Sequence, residues 1–159
     1  MKLVVGDMAP AFSLPDQAGE LHSLGDFLGT RVLLYFYPKD DTGGCTVEAC
    51  GIEAMMPDFK KFGITVFGIS VDSVKSHVKF AQKYGLSFTL LSDASKEMVE
   101  KYGVWAKKKF MGREYMGTLR TSFLISPEGI IEKIYENVKP ETHAAEVLAD
   151  LTKEDTDLT

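Results

Sequence analysis

Tyr37-Pro38-Lys39-Asp40-Asp41-Thr42-Gly43-Gly44-Cys45-Thr46-Val47-Glu48-Ala49-Cys50 holds both cysteines of the chain. The unbroken apolar run that leads into it, Val32, Leu33, Leu34, Tyr35, Phe36 and Tyr37, reads as a strand covered on both faces. A helical stretch follows from about Cys45 and is interrupted at Pro57. The first thiol therefore falls where a strand has ended and a helix begins. Backbone N–H groups at such a junction are unpaired, point outward and favour an anion. A thiol there loses its proton more readily, so Cys45 is expected to be an accessible, readily ionised nucleophile. Gly43 and Gly44 let the chain turn tightly and let its N–H groups approach a small ligand. Thr42 offers a hydroxyl on the same loop. Pro38, with a fixed φ and no donor, stiffens the loop and can cover one side of the sulfur.

Cys50 raises a geometric question. On one regular helix the two cysteines are separated by about 7.5 Å of rise and roughly 140° of rotation, which puts their Cα atoms about 8.5–9 Å apart. A disulfide needs Cα atoms within about 7 Å. The thiols therefore bond only if the first turns unwind. Gly51, which costs roughly 1 kcal/mol in a helix interior, and Pro57, which ends or kinks the helix at about Met56, make unwinding easy. A helical reduced form and an unwound oxidised form are expected. The plain alternative is that Cys50, between Ala49 and Gly51, is a small buried hydrophobe.

Outward from this stretch the elements alternate. Residues 12–14 and 21–23 read as a small hairpin around a polar, glycine-containing turn. Residues 64–70 form a second buried strand. Asp72 is the expected N-cap of a helix over 74–84, ended by Gly85. A strand over 88–91, a short helix over 95–102 ended by Gly103, and a hairpin of 121–126 with 130–135 around Pro127-Glu128-Gly129 follow. Pro140 begins the last helix, which runs to about Leu151, and residues 152–159 are expected to fray. The pattern implies a mixed central β-sheet with helices on both faces; it fits an α/β thioredoxin-like fold with an N-terminal β-hairpin extension, and by itself fits other small α/β folds as well. Residues 1–159 make one domain.

Composition narrows function. The net charge of −5 disfavours non-specific binding to nucleic acid or an anionic membrane. No secretory signal or membrane-spanning run is visible, so a soluble, cytoplasmic protein is expected. Cys45 and Cys50 with the scattered His22, His77 and His143 show no metal-ligand spacing, and no metal is expected. His77 reads as a packing or surface residue. Lys107, Lys108, Lys109 and Arg113 read as a solvated loop, or as a local attraction for an acidic reductase. Trp105, Phe110, Met111, Tyr115 and Met116 fit the rim of the site, a subunit contact or the core.

At these residues the chain resembles the peroxiredoxins. Pro38, Thr42 and Cys45 meet that family's P-x-x-x-T-x-x-C pattern, and Arg120, in Arg120-Thr121-Ser122-Phe123-Leu124-Ile125, matches its arginine. The Q-type, or bacterioferritin-comigratory, branch is the nearest in motif. The shared stretches are Gly6-Asp7 with Ala9-Pro10-Ala11-Phe12, residues 35–50, Ser76-His77-Val78-Lys79-Phe80-Ala81, Leu90-Leu91-Ser92-Asp93 and Pro127-Glu128-Gly129. Gly44 departs from that branch, which usually has proline there; the glycine keeps an N–H and loses a preset φ.

The resemblance implies a thiol-dependent peroxidase acting on hydrogen peroxide and organic hydroperoxides. Cys45 would be the peroxidatic nucleophile, passing through a sulfenic acid, and Cys50 the resolving thiol that forms an intramolecular disulfide. Thr42, Gly44, Arg120 and the Cys45 N–H would bind and orient the peroxide, Pro38 would shield it, and Glu48 would orient Arg120. No cofactor is implied beyond an external dithiol reductant, thioredoxin or a relative. The expected assembly is a monomer or weak homodimer. The alternative of another class is a peroxide-responsive redox sensor or binding module without sustained turnover.

Overall fold

A computed structural model of the chain describes residues 2–157. An N-terminal hairpin, β1 (Ser13–Pro15) with β2 (Leu21–Ser23), precedes the first sheet strand, β3 (Arg31–Phe36). The helices α1 (Gly43–Ala54) and α2 (Met56–Lys61) lead to β4 (Ile64–Ser70), α3 (Val74–Tyr84), β5 (Thr89–Ser92) and α4 (Glu97–Lys101). The strands β6 (Trp105–Phe110) and β7 (Arg113–Thr118), then β8 (Thr121–Ile125) and β9 (Ile131–Tyr135), are followed by α5 (His143–Asp157).

The central sheet has five strands in the order β5-β4-β3-β8-β9. β3 runs parallel to β4, with Leu33 opposite Val66, and antiparallel to β8, with Leu33 opposite Leu124. Strand periodicity of two splits the β3 run between two cores. Leu33 and Tyr35, with Tyr37 just beyond, pack with Ala49 and Ile52 of α1, Phe59 of α2, Phe80 of α3 and Val147 and Leu151 of α5. Val32, Leu34 and Phe36 pack on the other face with Met98 and Val99 of α4 and with Ala9, Phe12 and Leu14. The sheet is mixed, with helices on both faces, as in the thioredoxin-like fold.

Several expected boundaries move, each for a local reason. α1 starts at Gly43 rather than Cys45, so Cys45 lies inside its first turn. The break falls at Met55, and Pro57 sits in the first turn of α2, where a missing N–H is harmless. Ser73, not Asp72, caps α3, its hydroxyl accepting from the Ser76 N–H at 3.1 Å. The Asp72 carboxylate is engaged instead by the Ser70 hydroxyl and the Asp40 N–H. Pro140 belongs to a turn, with the Thr142 and His143 N–H groups donating to the Lys139 carbonyl, and α5 begins at His143. α5 continues to Asp157, so 152–157 are helical and not the frayed tail expected; residues 158 and 159 lie outside those described. The segment 105–118, expected as a loop around Lys107, Lys108 and Lys109, is an antiparallel hairpin pairing Trp105 with Thr118 through to Phe110 with Arg113. Its turn residues Met111 and Gly112 both have positive φ, 50° and 79°, the conformation that matches hairpin twist. No helix among the described residues is long and apolar enough to cross a membrane.

Candidate active site

Thr42 is the N-cap of α1, with extended backbone, but its side chain does not cap the helix. Its hydroxyl turns back and donates to the Lys39 carbonyl at 3.0 Å. The amides of Gly43, Gly44 and Cys45 therefore lie in a first turn with no carbonyl of the helix to pair with. Four residues of α1 are buried, Cys45, Glu48, Ala49 and Ile52, the spacing of one helical face. Cys45 and Glu48 are thus turned together toward the sheet.

Arg120 reaches them from the residue before β8. One guanidinium nitrogen, Nη2, donates to Cys45 Sγ at 3.2 Å, and the other, Nη1, donates to Glu48 Oε1 at 3.1 Å. The bare Gly44 makes room: a Cβ there would lie 2.6 Å from Arg120 Nη2 and 3.5 Å from Pro140 Cγ. Glu48 is 1% exposed, and burial pushes its carboxyl up to about 7 against the opposing pull of Arg120. Its Oε2 and the nearby Tyr35 hydroxyl have no hydrogen-bond partner among the described residues. Burial, then Glu48 and Cys45, hold the Tyr35 phenol well above its ordinary range.

Pro38 is half-buried and lines a cleft of about 280 Å³ with Val71, Trp105, Lys108, Tyr115 and Met116. The hairpin thus forms the wall opposite the loop. Burial and Arg120 draw the Lys108 ammonium below its ordinary range while Cys45 opposes them, so Lys108 lies within electrostatic reach of the sulfur. In the N-terminal hairpin, Asp16, Glu20 and His22 bring potential ligand atoms within 4.8 Å. The Asp16 oxygens are engaged by the Ala18 and Glu20 amides and the His22 ring, which fastens the hairpin's own turn.

Cys45, Glu48 and Arg120 are in contact, Gly44 adjoins them, and Thr42 and Pro38 stand on the loop beside them. Cys50 is not brought to Cys45. Both cysteines are free, Cys50 half-buried, on one continuous helix. The expectation of an accessible sulfur is corrected: Cys45 is 1% exposed, because Arg120 lies against it and α1 is packed on Tyr35 and Tyr37. The sequence alone suggested no role at the site for Tyr35 or Asp40, and for Lys108 only a solvated loop or an attraction for a reductase. Tyr35 was hidden inside an apolar run and Lys108 inside a basic one. Asp40 stood in the decisive loop, one of two adjacent aspartates there, and that acidic pair was the available signal.

Chemically, the site sets one sulfur against a guanidinium and a turn of unpaired amides. That arrangement stabilises a thiolate and negative charge developing on an adjacent oxygen.

The AhpC/TSA family profile matches residues 5–134. Peroxiredoxin Bcp of Escherichia coli strain K12 is 51% identical over 146 residues, covering 92% of this chain and 94% of that protein. Among solved structures, a PrxQ of Xylella fastidiosa, crystallised as a Cys-to-Ser mutant, superposes with a TM-score of 0.92 at 32% identity, covering 98% of this chain and 99% of that one. The bacterioferritin comigratory protein of Xanthomonas campestris, studied for its alkyl peroxide reduction, superposes with a TM-score of 0.85 at 37% identity, covering 90% and 91%.

Proposed function

Because the chain belongs to the AhpC/TSA family, among its Bcp-type peroxiredoxins, we propose that Cys45 is the nucleophile of a thiol-dependent peroxidase. The chain is an enzyme of that class, acting on a peroxide and recycled by a thiol reductant. The observation that carries the assignment of residues is the Arg120 guanidinium shared between Cys45 Sγ and Glu48.

The Cys45 thiolate attacks one oxygen of the hydroperoxide in line with the O–O bond. That bond breaks, the distal oxygen leaves as water or an alcohol after taking a proton, and Cys45 becomes a sulfenic acid. Arg120 and the Cys45 N–H stabilise the charge on sulfur before attack and on oxygen during it. Gly44 leaves room for the guanidinium and adds an amide. Thr42, whose hydroxyl hydrogen is given to Lys39, presents an oxygen lone pair to the peroxide O–H. Pro38 covers the loop side. Glu48 holds the guanidinium in register.

Resolution needs a larger movement. Along a continuous helix the two Cα atoms are about 8.5–9 Å apart, beyond the roughly 7 Å a disulfide tolerates. α1 therefore unwinds, the Cys50 thiol attacks the Cys45 sulfenic sulfur, and water leaves as the S–S bond forms. A dithiol protein of the thioredoxin type then reduces the bridge by exchange and is itself oxidised. The reaction requires no prosthetic group on the chain. We place the enzyme in the cytoplasm, where such reductants keep thiols reduced, as a monomer or weak homodimer with hydrogen peroxide and organic hydroperoxides as substrates.

Mass spectrometry of peroxide-treated protein tests the assignment. Wild type is expected to yield a Cys45–Cys50 bridge and Cys50→Ser a sulfenic or over-oxidised Cys45. Peroxide removal by Cys45→Ser at the wild-type rate would overturn it. Coupled NADPH consumption with thioredoxin and its reductase is expected to continue over many equivalents of peroxide; a single stoichiometric burst would instead identify a sensor.

A further inference from the structure

The loop between β3 and α1 is tied down before the chain reaches Cys45, and most of the ties run to α3. Asp40 is buried. Its Oδ1 accepts from the Tyr37 hydroxyl at 2.6 Å and its Oδ2 from the Ser76 hydroxyl at 2.8 Å. His77 Nδ1 lies 2.7 Å from the same Oδ2, and His77 Nε2 lies 3.0 Å from the Leu91 carbonyl oxygen. The Asp40 N–H donates to Asp72 Oδ2 at 2.9 Å. The next residue, Asp41, is left-handed with φ 56°, and its carboxylate accepts from Lys83 Nζ at 2.8 Å and the Tyr84 hydroxyl at 2.6 Å. Two consecutive loop residues are thus gripped by both ends of one helix.

The proton arrangement follows from the contacts. A carbonyl oxygen only accepts, so His77 Nε2 carries a hydrogen. Two lone pairs repel at the Nδ1–Oδ2 distance, so a second proton lies between those atoms. Imidazolium with carboxylate, or imidazole with carboxylic acid, both satisfy this, and both leave the pair neutral and bonded. His77 is 0% exposed, so no solvent competes for the bond, and a buried bond of this kind fixes geometry strongly.

We infer that His77 is a positioning residue for the peroxidase reaction: through Asp40 it fixes the loop that carries Pro38 and Thr42, using an element that takes no part in the redox rearrangement. The inference rests on Cys45 and Cys50 acting as proposed above. Closing their bridge requires α1 to unwind. A loop fastened to α1 would be released in every cycle. This loop is fastened to Asp72, Ser76, His77, Lys83 and Tyr84, all on or beside α3, which carries neither cysteine. Pro38 and Thr42 keep their places while α1 opens, and the re-formed helix returns Cys45 to a loop that is already in position.

Two substitutions separate this role from packing. In H77N the side-chain amide nitrogen falls near the position of Nδ1 and keeps the Asp40 bond. In H77Q it falls near Nε2, keeping Leu91 and losing Asp40. Each removes one of the two bonds, so a purely structural histidine would show rate losses that follow thermal stability in both variants. The expectation is that H77N keeps kcat/KM for hydrogen peroxide within about threefold, while H77Q loses about tenfold through misplacement of loop groups. Hydrogen exchange at the Asp40 amide should quicken in H77Q and not in H77N. Equal rate losses in the two variants, or a rate loss in H77Q with the Asp40 amide still protected, would overturn the inference.

Ser76→Ala, a half-buried site that deletes the other Oδ2 donor without touching the core, covers the case in which H77Q does not fold. It should also quicken Asp40 exchange, and unchanged exchange would refute the clamp. Exchange at Asp40 reports on the clamp even if wild type proves unable to consume peroxide, an outcome that would refute the assignment of Cys45 instead.

Discussion

Gly44→Ala is the smallest change that moves the guanidinium without touching it. The added Cβ would sit 2.6 Å from Arg120 Nη2 and 3.3 Å from its Cζ, whereas ordinary contact begins at 3.4 Å. Helix backbone fixes the Cβ, and the arginine tip is the flexible partner, so the tip gives way by about 0.8 Å, the difference of those two distances. Pro140 Cγ, 3.5 Å from the same point, blocks the helix from shifting the other way. A retreat of that size takes the 3.2 Å contact with Cys45 Sγ out to as much as 4 Å, past useful hydrogen-bond length for a charged donor.

A charge-assisted bond contributes about 1.5–3 kcal/mol, so kcat/KM for peroxide should fall roughly tenfold to hundredfold. Stability should move the other way, because alanine is favoured over glycine in a helix by up to about 1 kcal/mol. Stopped-flow oxidation of the reduced protein, followed by the fluorescence of Trp105 beside the Pro38 cleft, gives the rate, and calorimetry gives Tm. A Gly44→Ala protein reacting within about twofold of wild type, alongside an Arg120→Lys protein that is strongly impaired, would refute the reasoning. Gly44→Pro carries a Cβ to the same place and should also slow the peroxide step.

Glu48→Gln tests the buried acid. With a carboxyl near 7 in the fold and 4.5 as its ordinary value, Glu48 contributes stability that is complete below about pH 4.5 and lost as pH rises through 7; relative to wild type, Glu48→Gln should gain up to about 3 kcal/mol across that window. Urea midpoints at pH 5 and pH 8 check this, and a difference that does not change with pH would contradict it. The combined Lys109→Gln and Arg113→Gln change should slow reduction by thioredoxin several-fold at about 20 mM salt and scarcely at about 500 mM, with the stopped-flow peroxide step unaffected; equal slowing at both salts would rule out electrostatic docking. Gly68→Ala in β4 drives a Cβ to 2.7 Å from the Tyr35 hydroxyl and 2.9 Å from Leu90 Cδ2. Those groups are packed and cannot retreat, so it should cost about 2–3 kcal/mol, seen as a lower urea midpoint at unchanged m.

The parts legible from sequence were those with one dominant local cause. The apolar run of β3 announced a strand buried on both faces, and glycine marked the end of α3, where Gly85 has φ 64°. The junction at Cys45 was legible from glycines and from what precedes and follows them. The hairpin β6–β7 was not, because most of its residues are exposed on both faces; Lys107, Lys108, Lys109 and Phe110 then show no alternation to read. Its turn, Met111-Gly112, lacks the usual asparagine or aspartate ahead of glycine. The burial of Cys45 also escaped, since it arises from Arg120, distant in sequence. Asp72 was a sound cap by residue type, but two other donors hold its carboxylate, and no local rule anticipates competition of that kind.

α1 is weakly secured for a helix that carries the proposed nucleophile. Its buried face is a cysteine, a glutamate, an alanine and a single large apolar residue, Ile52. Hydrophobic burial of such a face amounts to roughly 4–5 kcal/mol. The desolvated Glu48 offsets about 3 kcal/mol of that once ionised. The helix also forgoes the roughly 1 kcal/mol of a side-chain cap, because the Thr42 side chain makes no capping bond. The groups around it are held otherwise: Arg120 enters from the central sheet, and Asp40 and Asp41 are fastened to α3. In such a design only α1 has a low cost of opening. In the proposed reaction the sulfur would be sheltered while α1 is helical and would bridge to Cys50 when it is not, while the loop residues Asp40 and Asp41 stay fastened to α3.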